Sequence, residues 1–152
     1  MSAMKDQLRS DLTDSMKARD QLRSSTLRMV LTAISTAEVA GKEAKELGDD
    51  EVLTIVGSEV KKRREAAEAF TQGNRPELAE KEMAEAEILS TYLPAQMSTE
   101  EIAAVVSAAI EQTGAAGEGM KAMGKVMGIV SAQTKGKADG GAVAAEVKRQ
   151  LG

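Results

Sequence analysis

The sequence predicts an all-α protein, with an N-terminal four-helix subdomain followed by a C-terminal three-helix subdomain. Three observations lead there. Ala, Glu, Lys, Leu, Met and Gln are abundant, and such residues lose little rotamer freedom in a helix. The aromatic residues reduce to Phe70 and Tyr92, with no Trp, so the core has to be aliphatic and draws on nine Met. No segment sustains the period-two alternation of a strand, whereas several carry apolar residues three and four apart.

The first helix is expected over Ser2 to Ala18, where Met4, Leu8, Leu12 and Met16 recur every four residues. Asp20 is the N-cap of the second, since its carboxylate can accept an unpaired backbone N–H. Leu22, Leu27, Met29, Val30, Leu31, Ala33, Ile34 and Ala37 cover so much of this helix that it reads as the most buried of the bundle. Gly41 to Gly48 is a connection whose Lys and Glu content could keep part of it helical. Asp49 or Asp50 caps the third helix, whose stripe is Val52, Ile55, Val56, Val60, Ala67 and Phe70, and Gly73 ends it. Asn74 with Glu77 resembles a capping box, and Pro76 sits in the first turn of the fourth helix, where its missing N–H is harmless. Leu78, Ile88, Leu89 and Tyr92 are its apolar positions, and Pro94 stops it.

The domain boundary falls after Pro94, giving domains 1–94 and 95–152. Ser98 and Glu101 form a capping box, with Met97 and Ile102 as the hydrophobic staple. Ile102, Val105, Val106, Ala109 and Ile110 follow, up to Gly114 and Gly117. The sixth helix carries Met120, Met123, Val126, Met127 and Val130. Lys135-Gly136-Lys137 leads to Asp139 as N-cap of the last helix, which packs through Val143, Val147 and Leu151.

Composition excludes much chemistry. The 152 residues suit one ordinary domain or two small ones. With neither Cys nor His, disulfides, thiolate nucleophiles, zinc sites built on sulfur or imidazole, and the usual base near neutral pH are all absent. No apolar run reaches the ~20 residues of a membrane span. The first residues lack the basic-then-apolar pattern of a signal peptide. These features give the expectation of a cytoplasmic protein with no membrane partner, no metal and no cofactor. Net charge is −4, but from Gly114 onward six bases face three acids, a local +3, while the first 113 residues carry −7. Such asymmetry can focus a basic patch on one end of an acidic molecule.

Three clusters are candidates for function. In helix four, Lys81, Glu82 and Glu85 occupy inward positions, and Arg63 or Arg64 lies near the stripe of helix three. Glu82 and Glu85 share a face, so they could serve acid–base work or a divalent ion, or form an interhelical Arg–Glu network that fixes register. The second reading is favoured because carboxylate metal sites in four-helix bundles usually add His. The run Lys61-Lys62-Arg63-Arg64 points in four directions among Glu59, Glu65 and Glu68, which makes a solvated face of ion pairs more natural than a phosphate patch. In the C-terminal quarter, Lys121 and Lys125 lie four apart, Gly128 continues their face and Gly124 lies beside it. Glycines admit a close backbone and lysines hold phosphate. Lys135 and Lys137 sit next to a helix start, which attracts anions, and Lys148 adds a further base. The alternative is that Gly124 and Gly128 allow tight helix packing while Gly136 and Gly140 serve a turn and a cap. No phosphate-loop motif and no nucleophile–base spacing occurs, so no catalytic residue is assigned.

Leu22-Arg23-Ser24-Ser25-Thr26-Leu27-Arg28-Met29, Glu59-Val60-Lys61-Lys62-Arg63-Arg64-Glu65, and Lys81-Glu82-Met83-Ala84-Glu85 running into Tyr92-Leu93-Pro94 together resemble the YqeY family. So do Met123-Gly124-Lys125-Val126-Met127-Gly128 and Lys135-Gly136-Lys137-Ala138-Asp139-Gly140. The same module is found as the tail of the B subunit of the glutamine-dependent Asp/Glu-tRNA amidotransferase (GatB). The resemblance implies the four-plus-three helical organisation and contact with tRNA, with Lys125, Gly128, Lys137, Asp139 and Gly140 matching the closing pattern. It implies no reaction by this chain alone, because the catalytic body of that subunit is missing. The expected function is therefore a tRNA-binding or tRNA-associated accessory module whose partners are tRNA and amidotransferase or aminoacyl-tRNA machinery. The alternatives are a protein-interaction adaptor using the acidic N-terminal bundle, and a component of a carbon–nitrogen ligase with glutamine as amido-nitrogen donor.

Overall fold

The computed structural model describes residues 2–152. Among them the secondary structure is entirely helical: α1 (Ala3–Lys17), α2 (Gln21–Glu38), α3 (Asp49–Gln72), α4 (Pro76–Ser90), α5 (Thr99–Thr113), a 3-10 turn (Gly119–Ala122), α6 (Met123–Thr134) and α7 (Gly140–Leu151). The chain divides into two compact units, Met1–Leu93 and Pro94–Gly152.

In the first unit α3 packs along α4 and α1 along α2. Leu8, Leu27, Val30, Ile34, Val52, Val56 and Leu89 are fully buried, each such side chain contributing ~1.5–3 kcal/mol by leaving water. The four-residue repeat of α1 does not keep its face. A helix turns ~100° per residue, so each four-residue step overshoots a full turn by ~40°, and Met16 ends 45% exposed. Helix α2 has the largest buried share of the four, five of its 18 residues, as its apolar content suggests, but it is not enclosed all round. Ser25, Arg28, Met29, Thr32, Ser35 and Thr36 form an exposed side, because α2 leans on α1, α3 and α4 with its other side only.

Several helix ends differ from expectation. Asp20 does cap α2, accepting the Arg23 N–H. Helix α3, however, begins after Gly48 with no side-chain cap. The Asp49 carboxylate is engaged elsewhere, accepting the Ser2 hydroxyl at 2.5 Å and the Met4 N–H at 3.2 Å. Asn74 cannot cap α4, since its φ of 59° places it in the left-handed region. Arg75 occupies the N-cap position without a side-chain bond, followed by Pro76 in the first turn. The Gly41–Gly48 connection holds no helix. Instead the Glu38 carboxylate gathers it, accepting Lys5 Nζ at 2.6 Å and the Leu47 N–H at 3.2 Å, while Leu47 inserts into the core. The Lys5 and Leu47 hydrogen bonds hold the Glu38 carboxyl below its usual range.

The second unit has its own core of Ile102, Val106, Ala109, Ile110, Ala115, Ala122, Val126, Val130, Val143, Val147 and Leu151. Ser98 and Glu101 form the full capping box of α5. Gly114 closes that helix at φ 66°, where a side chain would be strained. The sixth helical segment opens as a 3-10 turn that directs Ala122 inward and leaves Met120 49% exposed. Met120 is therefore not part of the core stripe.

Candidate nucleic-acid interface

Of the predicted bases of the second unit, Lys121, Lys135 and Lys137 lie in the short segments between α-helices, Lys125 in α6 and Lys148 in α7. Gly117 and Gly119, at φ 82° and 70°, turn the chain from α5 into the 3-10 segment that carries Lys121. Helix α6 then buries Val126, Val130 and Thr134. Its opposite side is exposed and carries Gly124, Lys125, Gly128, Ser131 and Ala132. Lys125 and Gly128 thus share one exposed side of α6, and Lys121 is exposed in the 3-10 turn just before it. A Cβ added at Gly124 or at Gly128 would have no neighbour within 4 Å. The tight-packing reading of these two glycines does not hold, because nothing packs on them.

Lys135 leaves α6 in an extended conformation and Gly136 turns the chain at φ 77°. Met97 N–H donates to the Lys137 carbonyl at 2.8 Å, and Gln96 Nε2 donates to the Gly136 carbonyl at 3.0 Å. Sequence reasoning missed Gln96, whose only signal was a polar side chain two residues after Pro94. Lys135 and Lys137 are exposed, one at each end of this anchored turn. The neighbouring helix start is a poorer anion trap than the sequence suggests. Asp139 places its own carboxylate there, accepting the Ala142 N–H at 3.2 Å. Gly140 is the first helical residue rather than the cap.

Charge in this unit is partly neutralised. Lys125 pairs with Glu118 at 3.1 Å, both side chains well exposed, a surface pair worth ~0.2–1 kcal/mol. Arg149 pairs with Glu146, whose carboxyl lies below its usual range because it accepts from Arg149 and then from Gln150. Lys148 is exposed on α7, away from the α6 side chains in sequence and element. Lys121, Lys135, Lys137 and Lys148 have no ion pair among the described residues.

The cluster in the first unit separates into partners and bystanders. Arg63 and Glu85 are both buried and pair at 3.2 Å. Arg63 also donates to the Glu59 carbonyl at 3.1 Å. Arg64 is exposed and, among the described residues, reaches the Ser90 hydroxyl at 3.4 Å, while Glu82 is half-buried and stays outside the pair. Lys62 meets Glu59 at 3.7 Å on the exposed side, while Arg63 turns inward to its buried pair. Among the described residues no three His, Cys, Asp or Glu side chains are grouped to hold a metal ion, and no helix is long and apolar enough to cross a membrane.

Two all-helical units, an exposed glycine–lysine side of α6 and an internal Arg–Glu pair define a two-part helical module. The chain belongs to the Yqey-like protein family, which matches residues 5–151. Among its relatives, an uncharacterized protein of Schizosaccharomyces pombe is 38% identical over 92 residues, covering 60% of this chain and 72% of that protein. Altered inheritance of mitochondria protein 41 of Pyrenophora tritici-repentis is 30% identical over 135 residues, 86% of this chain and 71% of the relative. The mitochondrial protein of the same name from Lachancea thermotolerans is 33% identical over 86 residues, 57% and 46% of the two chains. The chain spans about half the length of this and further yeast relatives of that name. These names overturn the expectation of a cytoplasmic location, since the relatives are mitochondrial. The expectation rested on missing cysteines, a missing apolar run and a missing secretory signal pattern, and none of these properties distinguishes the cytoplasm from the mitochondrial interior.

Proposed function

We propose that this chain is a tRNA-binding or tRNA-associated accessory module with no catalysis of its own, meeting the RNA backbone through the exposed side of α6 and the turn after it. The observation that carries the reading is the openness of Gly124 and Gly128 beside Lys121 and Lys125. Glycine in a helix interior costs ~0.8–1.0 kcal/mol relative to Ala, and here no packing offsets it. Small residues flanked by lysines let a phosphate backbone approach closely, and contact without aromatic stacking reads shape and charge rather than bases.

The experiment is a filter-binding titration of total tRNA across a salt series. It compares the full chain with a variant in which Lys121, Lys125, Lys135 and Lys137 are Ala. The wild type should bind, with affinity falling steeply as salt rises. The variant should bind more weakly and lose about 3 from the slope of log K against log salt. Equal binding by the two proteins, or none by either, sinks the reading.

A further inference from the structure

The seam between α1 and α2 in the first unit opens into a surface cleft of about 570 Å³. Leu12 of α1, Leu31 of α2 and Val39 at the C-cap of α2 give it an apolar lining, and Val39 is 65% exposed. Its charged side chains are Arg9 on one helix and Arg28 on the other. Neither has an ion-pair partner among the described residues; the Arg28 guanidinium lies 3.0 Å from the Met16 sulfur. Thr32, Ser35 and Thr36 line the same cleft. Thr26, Thr54, Thr71 and Thr134 each donate to a carbonyl one turn back, whereas these three hydroxyls make no hydrogen bond among the described residues.

We propose that this cleft docks an acidic amphipathic helix of a partner protein. Shape is the first argument. The lining runs from Arg28 to Val39, which at 1.5 Å per residue is ~16 Å or about three turns, the span of a short helix laid in a groove. Chemistry is the second: the apolar lining suits a Leu-type stripe, and a guanidinium on each wall suits flanking carboxylates. The wider field is the third. Residues 1–93 carry 14 bases and 18 acids, net −4, so the two arginines are a local positive stripe in an anionic unit. A polyanion meets the repulsion of the whole unit, whereas a segment with a few carboxylates engages the stripe alone. This docking is independent of the RNA reading, which concerns the other unit.

The test titrates the 15N-labelled full chain with a synthetic amphipathic peptide of about 14 residues. Leu occupies one face of the peptide with Glu beside it, and a counterpart carries Lys for every Glu. The Glu peptide should shift amides of residues 9–12 and 28–39, and the Lys peptide should bind about tenfold or more weakly. An R9E/R28E variant, its helicity checked by circular dichroism, should reverse that preference. The proposal is overturned if the Glu peptide moves none of these amides, if both peptides bind alike, or if tRNA shifts the same residues in place of the peptide.

Discussion

Asp49, the first residue of α3, caps a helix that is not its own: its carboxylate takes the Ser2 hydroxyl at 2.5 Å and the Met4 N–H at 3.2 Å. Ser2 in turn accepts the Lys5 N–H at 3.0 Å. The start of α1 is thus satisfied by its own N-cap, Ser2, and in addition by a residue 47 positions away, so tertiary structure completes what the local sequence begins.

This arrangement predicts acid sensitivity. The hydrogen bonds from Ser2 and then Met4 hold the Asp49 carboxyl below its usual range, and Glu38 is lowered by Lys5 and Leu47. A carboxyl whose folded pKa is depressed contributes stability above its unfolded pKa and loses it as pH falls through the folded value. Thermal stability should therefore fall as pH drops below about 4. D49N should melt below wild type at neutral pH, with the gap closing on acidification. A gap independent of pH would show that the charge of Asp49 is not what matters.

The buried Arg63–Glu85 pair predicts an asymmetric response. E85A leaves the buried guanidinium only the Glu59 carboxylate, at 3.5 Å, and should cost up to ~3 kcal/mol in urea unfolding, whereas replacing both Arg63 and Glu85 with apolar residues of similar volume should cost far less. Equal losses from the single and double variants would contradict this.

Glycine separates stability from binding. Gly57, Gly124 and Gly128 are all helical and open around their Cβ positions, so changing each to Ala should stabilise the protein by ~0.4–1 kcal/mol. Only G124A and G128A should weaken tRNA retention. G57A is the control, and a loss of binding there would argue against a local contact.

Glu118 restrains Lys125. E118Q frees that lysine and removes a negative charge, so tRNA binding at low salt should tighten about two- to fivefold, on the order of 0.5–1 kcal/mol. Filter binding with E118Q beside wild type reads this directly, and unchanged affinity would place the RNA elsewhere.

The all-helical fold was legible because aliphatic periodicity and the caps at Asp20, Ser98 and Asp139 are local signals, and all three caps form as expected. Asp49 and Asn74 misled because each serves a partner or conformation set beyond its own helix start. The Arg63–Glu85 pair could be anticipated from charges at inward positions, but the choice of Arg63 over Arg64 and of Glu85 over Glu82 depends on helix rotation. The Arg9–Arg28 cleft left no pattern in sequence, since its walls come from two helices and neither arginine belongs to a charge run.

The shortage of aromatic residues has an optical consequence. Tyr92 is the lone tyrosine, there is no tryptophan, and Phe70 lies in the same unit. The Tyr92 phenol is half-buried and donates to Asp11; burial first, and then that carboxylate, push its pKa above the ordinary phenol range. Intrinsic fluorescence therefore watches the first unit alone, while the second is dark to it. Following one melt by tyrosine emission and by far-ultraviolet dichroism turns this natural blind spot into a measure of whether the two halves let go together.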